Sequence, residues 1–248
     1  MSAAGVSGAI QIGADIESSQ LALDTAISWG SNTWCTVGIH PTDCQDLPAN
    51  FRETALEEIE RLRESRSDKV VAIGETGLDY YHLTPGKEAS QKKTQFSFFA
   101  GQARLAQRLD LPLVVHTRDA AADTIRAIKE NGVRRAVIHC FSEGPRFAEE
   151  LLKWSEEIYF SFSGILTYRN AVAIQETAVF LPLDRILVET DSPFLVPSCA
   201  RNKTSVNEPA FTRYVMDFLK TLRAEPPETV EQTVWENSFA FFGIPAET

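Results

Sequence analysis

The stretch VVAIGE, Val70–Glu75, runs through four apolar residues and a glycine into a carboxylate. A short apolar run that ends in a lone polar group is the pattern of a buried parallel strand whose C-terminal end opens into a pocket. The pattern recurs in LVVH (Leu113–His116), AVIH (Ala136–His139) and ILVETD (Ile186–Asp191). Further strands are expected at Ala9–Ile12, Trp34–Ile39 and Tyr159–Phe162, with Ile186–Glu189 as the last of seven.

Apolar spacing places amphipathic helices between these strands, at Ser18–Trp29, Arg52–Ser65, Glu88–Leu109, Ala120–Asn131, Pro145–Trp154 and Asn170–Phe180. Two more, Ala210–Leu222 and Pro227–Phe242, close the chain. Alternation of strand and helix demands right-handed crossovers and a parallel sheet covered by helices. An open doubly wound sheet would carry its ligand at one switch point, usually on a Gly-rich phosphate loop, and neither GxGxxG nor a P-loop lysine motif is present. Polar groups at the ends of many strands fit a (β/α)8 barrel of the TIM type instead, since its strand ends share one mouth. Eight strands are needed and about seven are readable. Met1–Ser7 reads as the tail of a helix and the turn into the next strand, as though a first βα unit were missing.

The 248 residues, 44% of them apolar, suit one barrel domain over 1–248. No apolar run reaches membrane-spanning length and no leader-like start is seen, so a soluble, cytoplasmic protein is expected without a membrane partner. The four cysteines show no CxxC spacing, and reduced thiols are the default. Cys140, following His139 on a strand, is expected to face the helix layer. A net charge of −10 argues against nucleic-acid binding through a broad basic surface. A phosphate substrate would be held locally, by metal ions and a few cations.

One histidine at a strand end is ordinarily a satisfied core or turn residue. Two of them, His116 and His139, with Glu75 and Asp191 also at strand ends, form a nitrogen-and-carboxylate set suited to a divalent ion: Mg, Mn, Zn or Co. Glu75 after an apolar run would be buried, and a cation is its cheapest partner. Glu189 and Asp191 lie two apart, so an extended strand would send both carboxylates to one side, where they repel unless a proton or cation joins them. His40, before Pro41, either lines the pocket or is a plain turn residue. Arg118 and Arg201 either pair locally or grip a phosphate oxygen. His82 is expected to be a solvated loop residue.

The segments VGIHP, AIGETGLDYY, LPLVVHTRDA, HCF and ILVETDSPFL, in this order, with NEPA at Asn207–Ala210, resemble the TatD family of metal-dependent deoxyribonucleases across nearly the whole chain. The resemblance implies an amidohydrolase-type barrel that cleaves phosphodiester bonds of DNA, as an exonuclease, with one or two divalent ions per chain. It implies that Glu75 bridges the metals, that His116 and His139 hold one, and that Asp191 holds the other and the attacking water. His40, Arg118, Glu189 and Arg201 would meet substrate. Members of the family open with a strand carrying an HxH pair, and no such pair occurs here. A truncated reading frame is favoured over a natural one-metal variant or a member that has lost catalysis and serves as a binding protein. A D-aminoacyl-tRNA deacylase or a small-molecule amidohydrolase would use the same ligands.

Overall fold

A computed structural model describes residues 5–48 and 50–245. Its elements follow the alternation read from the sequence: β1 (Ala9–Gln11), α1 (Ile16–Ser28), β2 (Thr33–Val37), α2 (Pro41–Cys44), α3 (Phe51–Ser65), β3 (Val70–Asp79), α4 (Glu88–Arg108), β4 (Leu113–Arg118), α5 (Ala121–Glu130), β5 (Ala136–Ile138), α6 (Pro145–Trp154), β6 (Ile158–Phe162), α7 (Val172–Phe180), β7 (Ile186–Val188), α8 (Thr212–Leu222) and α9 (Pro227–Phe242). Seven strands lie among the described residues. Of the expected helix tail over Met1–Ser7, residues 1–4 fall outside the described residues, and 5–7 are turn and loop. No helix among the described residues is long and apolar enough to cross a membrane.

Two compact units divide the chain within β5, residues 8–137 and residues 138 onward with 5–7. In the first, β1 to β4 lie side by side, each parallel to the next. The Leu113 N–H continues the ladder to the Arg135 carbonyl at 3.1 Å. β3 is the long strand because it slips register against β4 between Ile73 and Thr76 and then pairs again through Asp79. The second stretch of pairing needs glycine: at Gly77, with φ 154°, an added Cβ would stand 2.0 Å from the His116 carbonyl oxygen. The apolar strand residues Val70, Ala72, Ile73, Val114 and Val115 are buried, as four-residue apolar runs require.

In the second unit β6 and β7 are parallel, with Phe160 opposite Ile186 and Phe162 opposite Val188. Phe141, Phe160 and Phe162 are fully buried. The Phe141 ring stands 5.5 Å from that of Phe160 and 5.6 Å from that of Phe162. Burying each such ring stabilises by about 2–3 kcal/mol, which fixes the backbone just after His139 and at the β6 end.

Strand ends differ from the sequence reading by a residue or two, except that β3 runs four residues past Glu75 to Asp79, and two further differences matter. β5 stops at Ile138, so His139 and Cys140 form a turn, with Cys140 at φ 46°. Strand alternation therefore does not govern Cys140, and its Sγ lies 3.2 Å from Ser163 Oγ instead of in the helix layer. After β2, the four-residue α2 was not anticipated: Pro41 opens it, and His40 caps it by accepting the Thr42 N–H at Nδ1, 3.2 Å.

Candidate metal centres

In the first unit His40, Glu75 and His116 each bring one ligand atom to a group whose members lie within 4.8 Å of one another. Ligands placed about 2.1 Å from a common ion are a small side-chain adjustment away from that spacing. Glu75 Oε1 is 3.0 Å from His116 Nδ1 and 3.7 Å from His40 Nε2. The two imidazoles meet edge to face, with centroids 4.4 Å apart. Glu75 is fixed from its backbone, its N–H donating to the Gly13 carbonyl at 2.8 Å. His40 is fixed by the α2 cap and by a 2.7 Å contact from Nδ1 to Thr42 Oγ1, which leaves Nε2 directed at Glu75.

Sequence reading passed over Asp79. It is fully buried at the end of β3, and its Oδ2 lies 3.0 Å from His116 Nε2 and 3.0 Å from His82 Nδ1, while Oδ1 accepts the His82 backbone N–H at 2.9 Å. Burial by itself would raise the Asp79 pKa, but the hydrogen bonds from His116 and His82 outweigh it and hold this carboxyl well below the usual range. His116 moves the opposite way: burial pulls its pKa down, yet Asp79 and Glu75 on its two nitrogens raise it above the ordinary imidazole value. His82 is half exposed, as a loop residue should be, but its ring is tied to Asp79. The missed signal was an aspartate four residues after Glu75 on the same strand.

In the second unit the group is His139, Glu189 and Asp191, again within 4.8 Å. His139 Nδ1 is 2.7 Å from Glu189 Oε2, and Nε2 is 3.4 Å from Asp191 Oδ1. The two carboxylates flank one ring, though not because the strand stays extended: β7 ends at Val188 and the chain bends at Asp191, φ 57°. Asn207, from the NEPA segment, holds that bend. Its buried amide donates to the carbonyls of Thr190 (2.8 Å), Phe194 (2.7 Å) and Leu195 (3.3 Å). Glu189 Oε2 also accepts from Ser161 Oγ at 2.7 Å, but Glu189 Oε1 is buried with no hydrogen-bond partner among the described residues. A buried carboxylate oxygen left without a donor is costly, and a divalent ion is the partner that this set of one nitrogen and two carboxylates suits.

Arg118 is exposed, its guanidinium 3.9 Å from the centroid of the Tyr81 ring. Arg201, also exposed, lies 3.7 Å over Tyr168 and donates from Nε to the Val196 carbonyl at 3.3 Å.

Parallel strands alternating with helices, with histidine and carboxylate groups gathered at their ends, define the class of metal-dependent hydrolases built on a TIM-type α/β barrel. The particular family follows from comparison. The profile of the TatD related DNase family matches residues 1–243, and the chain belongs to that family. It is 38% identical over 217 residues to the uncharacterized metal-dependent hydrolase YcfH of Escherichia coli K12, covering 87% of this chain and 76% of that protein. It is 32% identical over 246 residues to the 3'-5' ssDNA/RNA exonuclease TatD of Erwinia amylovora, covering 97% and 90%. Among solved structures, the TatD homologue YJJV of Escherichia coli K12 superposes with a TM-score of 0.85 at 28% identity, covering 98% of this chain and 88% of the other.

Proposed function

We propose that this protein is a metal-dependent phosphodiesterase that removes nucleotides from an end of DNA. The observation that carries the reading is the pair of histidine–carboxylate groups, one of them holding a buried glutamate oxygen without a hydrogen-bond donor among the described residues. The name of the Erwinia amylovora relative supports the nucleic-acid substrate.

In this reading His40, Glu75 and His116 hold one divalent ion, and His139, Glu189 and Asp191 offer donors to another. A bound divalent ion would polarise a phosphoryl oxygen and lower the pKa of a bound water. Asp191, the most exposed carboxylate of the six residues, with 31% of its side chain accessible, would accept the proton of the attacking water in this reading. Arg118 and Arg201 rest on aromatic faces, an arrangement that steadies a guanidinium and leaves its N–H edge for a phosphate oxygen. Two local cations, and not a basic surface, suit a chain of net charge −10.

Metal analysis of the purified chain, combined with hydrolysis of end-labelled single-stranded oligonucleotides with and without a chelator, tests the reading. Stepwise shortening that stops on chelation is expected. Release of no nucleotide under any divalent ion would refute it.

A further inference from the structure

Asp79 is the polar group that the proposed chemistry leaves unused. It sits 0% exposed at the end of β3, four residues beyond Glu75 on the same strand. Its backbone is clamped by α4: the Asp79 N–H donates to Gln95 Oε1 at 2.9 Å, and Gln95 Nε2 donates to the Asp79 carbonyl at 2.9 Å. The backbone that carries the carboxylate is therefore fixed, and rotating the side chain away would break its contacts to His116 and His82. Its Oδ2 faces two ring nitrogens, His116 Nε2 and His82 Nδ1, each at 3.0 Å, and Oδ1 faces the His82 N–H at 2.9 Å. An ionised carboxylate only accepts, so the His116 Nε2 opposite it must carry a proton.

That places the unprotonated lone pair of a neutral His116 on Nδ1, which points at Glu75 Oε1 from 3.0 Å. Two lone pairs at that distance repel unless a proton or a cation sits between them. We infer that Asp79 is a positioning residue: by holding the Nε2 proton of His116, it makes Nδ1 the nitrogen offered, together with Glu75, to a divalent ion. The inference rests on the metal-dependent reading proposed above and adds to it the residue that selects the binding atom. Carboxylates acting behind a ligating histidine in this way typically account for about 10–100-fold in metal affinity.

The test uses Asp79→Asn, which keeps the side-chain shape but can turn an N–H toward His116. Zinc binding to the full metal-depleted chain is measured by calorimetry, and the His116 ring nitrogens are followed by long-range ¹H–¹⁵N correlation. The expected result is wild-type zinc binding at His116 through Nδ1 with a proton retained on Nε2, affinity lowered about 10–100-fold in the variant, and shifted His116 nitrogen signals. If the wild-type chain binds zinc and the folded variant binds it equally well with unchanged ring signals, the inference about Asp79 is overturned while the metal-dependent reading stands. A wild-type chain that takes up no divalent ion overturns both. Should the variant not fold, the wild-type spectrum decides alone: a proton on Nε2 in the zinc-loaded protein supports the assignment, and zinc on Nε2 overturns it.

Discussion

Replacing Asn207 by alanine should loosen the bend that carries Asp191 and lower both stability and metal affinity. The side chain is 3% exposed and its amide donates to three carbonyls in one six-residue stretch, at 2.7, 2.8 and 3.3 Å. The two short bonds contribute about 1 kcal/mol each and the long one about half of that, by the usual net value of a hydrogen bond. Loss of contacts around a buried residue adds a little more, so about 2–3 kcal/mol is expected. The affected carbonyls lie in a part-exposed loop where water can replace the amide, which keeps the figure from rising further. For a chain of this size that corresponds to a fall in Tm of about 4–12 °C. Asn207→Asp should be worse than alanine, because it removes the donors and sets a carboxylate against the same carbonyls. Thermal denaturation of the three proteins measures the order, and titration with a divalent ion should show weaker binding in both variants. A Tm for Asn207→Ala within about a degree of wild type, or an aspartate variant more stable than the alanine one, would refute the reasoning.

Asp191→Asn keeps the shape of the loop but removes the proposed proton acceptor; oligonucleotide hydrolysis should fall at least about a hundredfold with Tm nearly unchanged, and wild-type turnover would move the proton transfer to another group. Gly77→Ala drives a Cβ to 2.0 Å from the His116 carbonyl at φ 154°, so urea unfolding should show a loss of more than about 2 kcal/mol; an unchanged midpoint would contradict the close strand approach. Burial pushes the thiols of Cys35 and Cys44 up to about 12 and that of Cys140 up as well, whereas Cys199 is exposed. At pH 8 a thiol near 12 is ionised to about one part in ten thousand, so a thiol-specific disulfide reagent should label one cysteine rapidly in the native chain and all four after denaturation; rapid labelling of two or more native thiols would count against these burial assignments.

The order of strands and helices was legible because apolar runs and amphipathic spacing are local properties. Pro145–Trp154 and Pro227–Phe242 were read to the residue, since a proline in the first turn marks each start. The polar groups that follow the apolar runs were legible for the same reason, although only His139 and Asp191 lie past the ends of their strands, while Glu75 and His116 lie inside β3 and β4, four and two residues before the ends. What surrounds them was not. His40 reads as a pocket or turn residue until α2 turns its Nε2 toward Glu75. Glu189 and Asp191 do converge, but through a left-handed residue at Asp191 that no hydropathy pattern encodes. Asp79 was hidden because the apolar run, and with it the strand as read from sequence, stops at Glu75, whereas the register slip at Gly74 and Glu75 lets β3 run on through Asp79.

The face of α4 shows why such supporting groups escape a reading based on apolar periodicity. Gln91, Gln95, Phe98, Gln102 and Leu105 share one buried stripe at helical spacing, so three of its five positions are amides that a hydropathy scale assigns to the solvent side. Each is buried because its partners are polar and already fixed. Gln102 accepts the Ile39 N–H at 2.8 Å and donates to the Ile39 carbonyl at 3.0 Å and to Thr76 Oγ1 at 2.7 Å. Gln95 treats Asp79 in the same two-ended manner. These are the residues next to His40 and Glu75, at positions where β2 has ended and β3 has slipped, so the strands' own ladder leaves donors and acceptors unpaired. Leucine at 95 or 102 would add apolar area, about 1–2 kcal/mol by transfer. It would also strand a buried donor and a buried acceptor, at about 1–3 kcal/mol each, so the amide wins. The polar stripe is therefore a consequence of the broken sheet edge that brings His40, Glu75 and His116 together, and a leucine there would be expected to shift the ligands before it unfolded the chain.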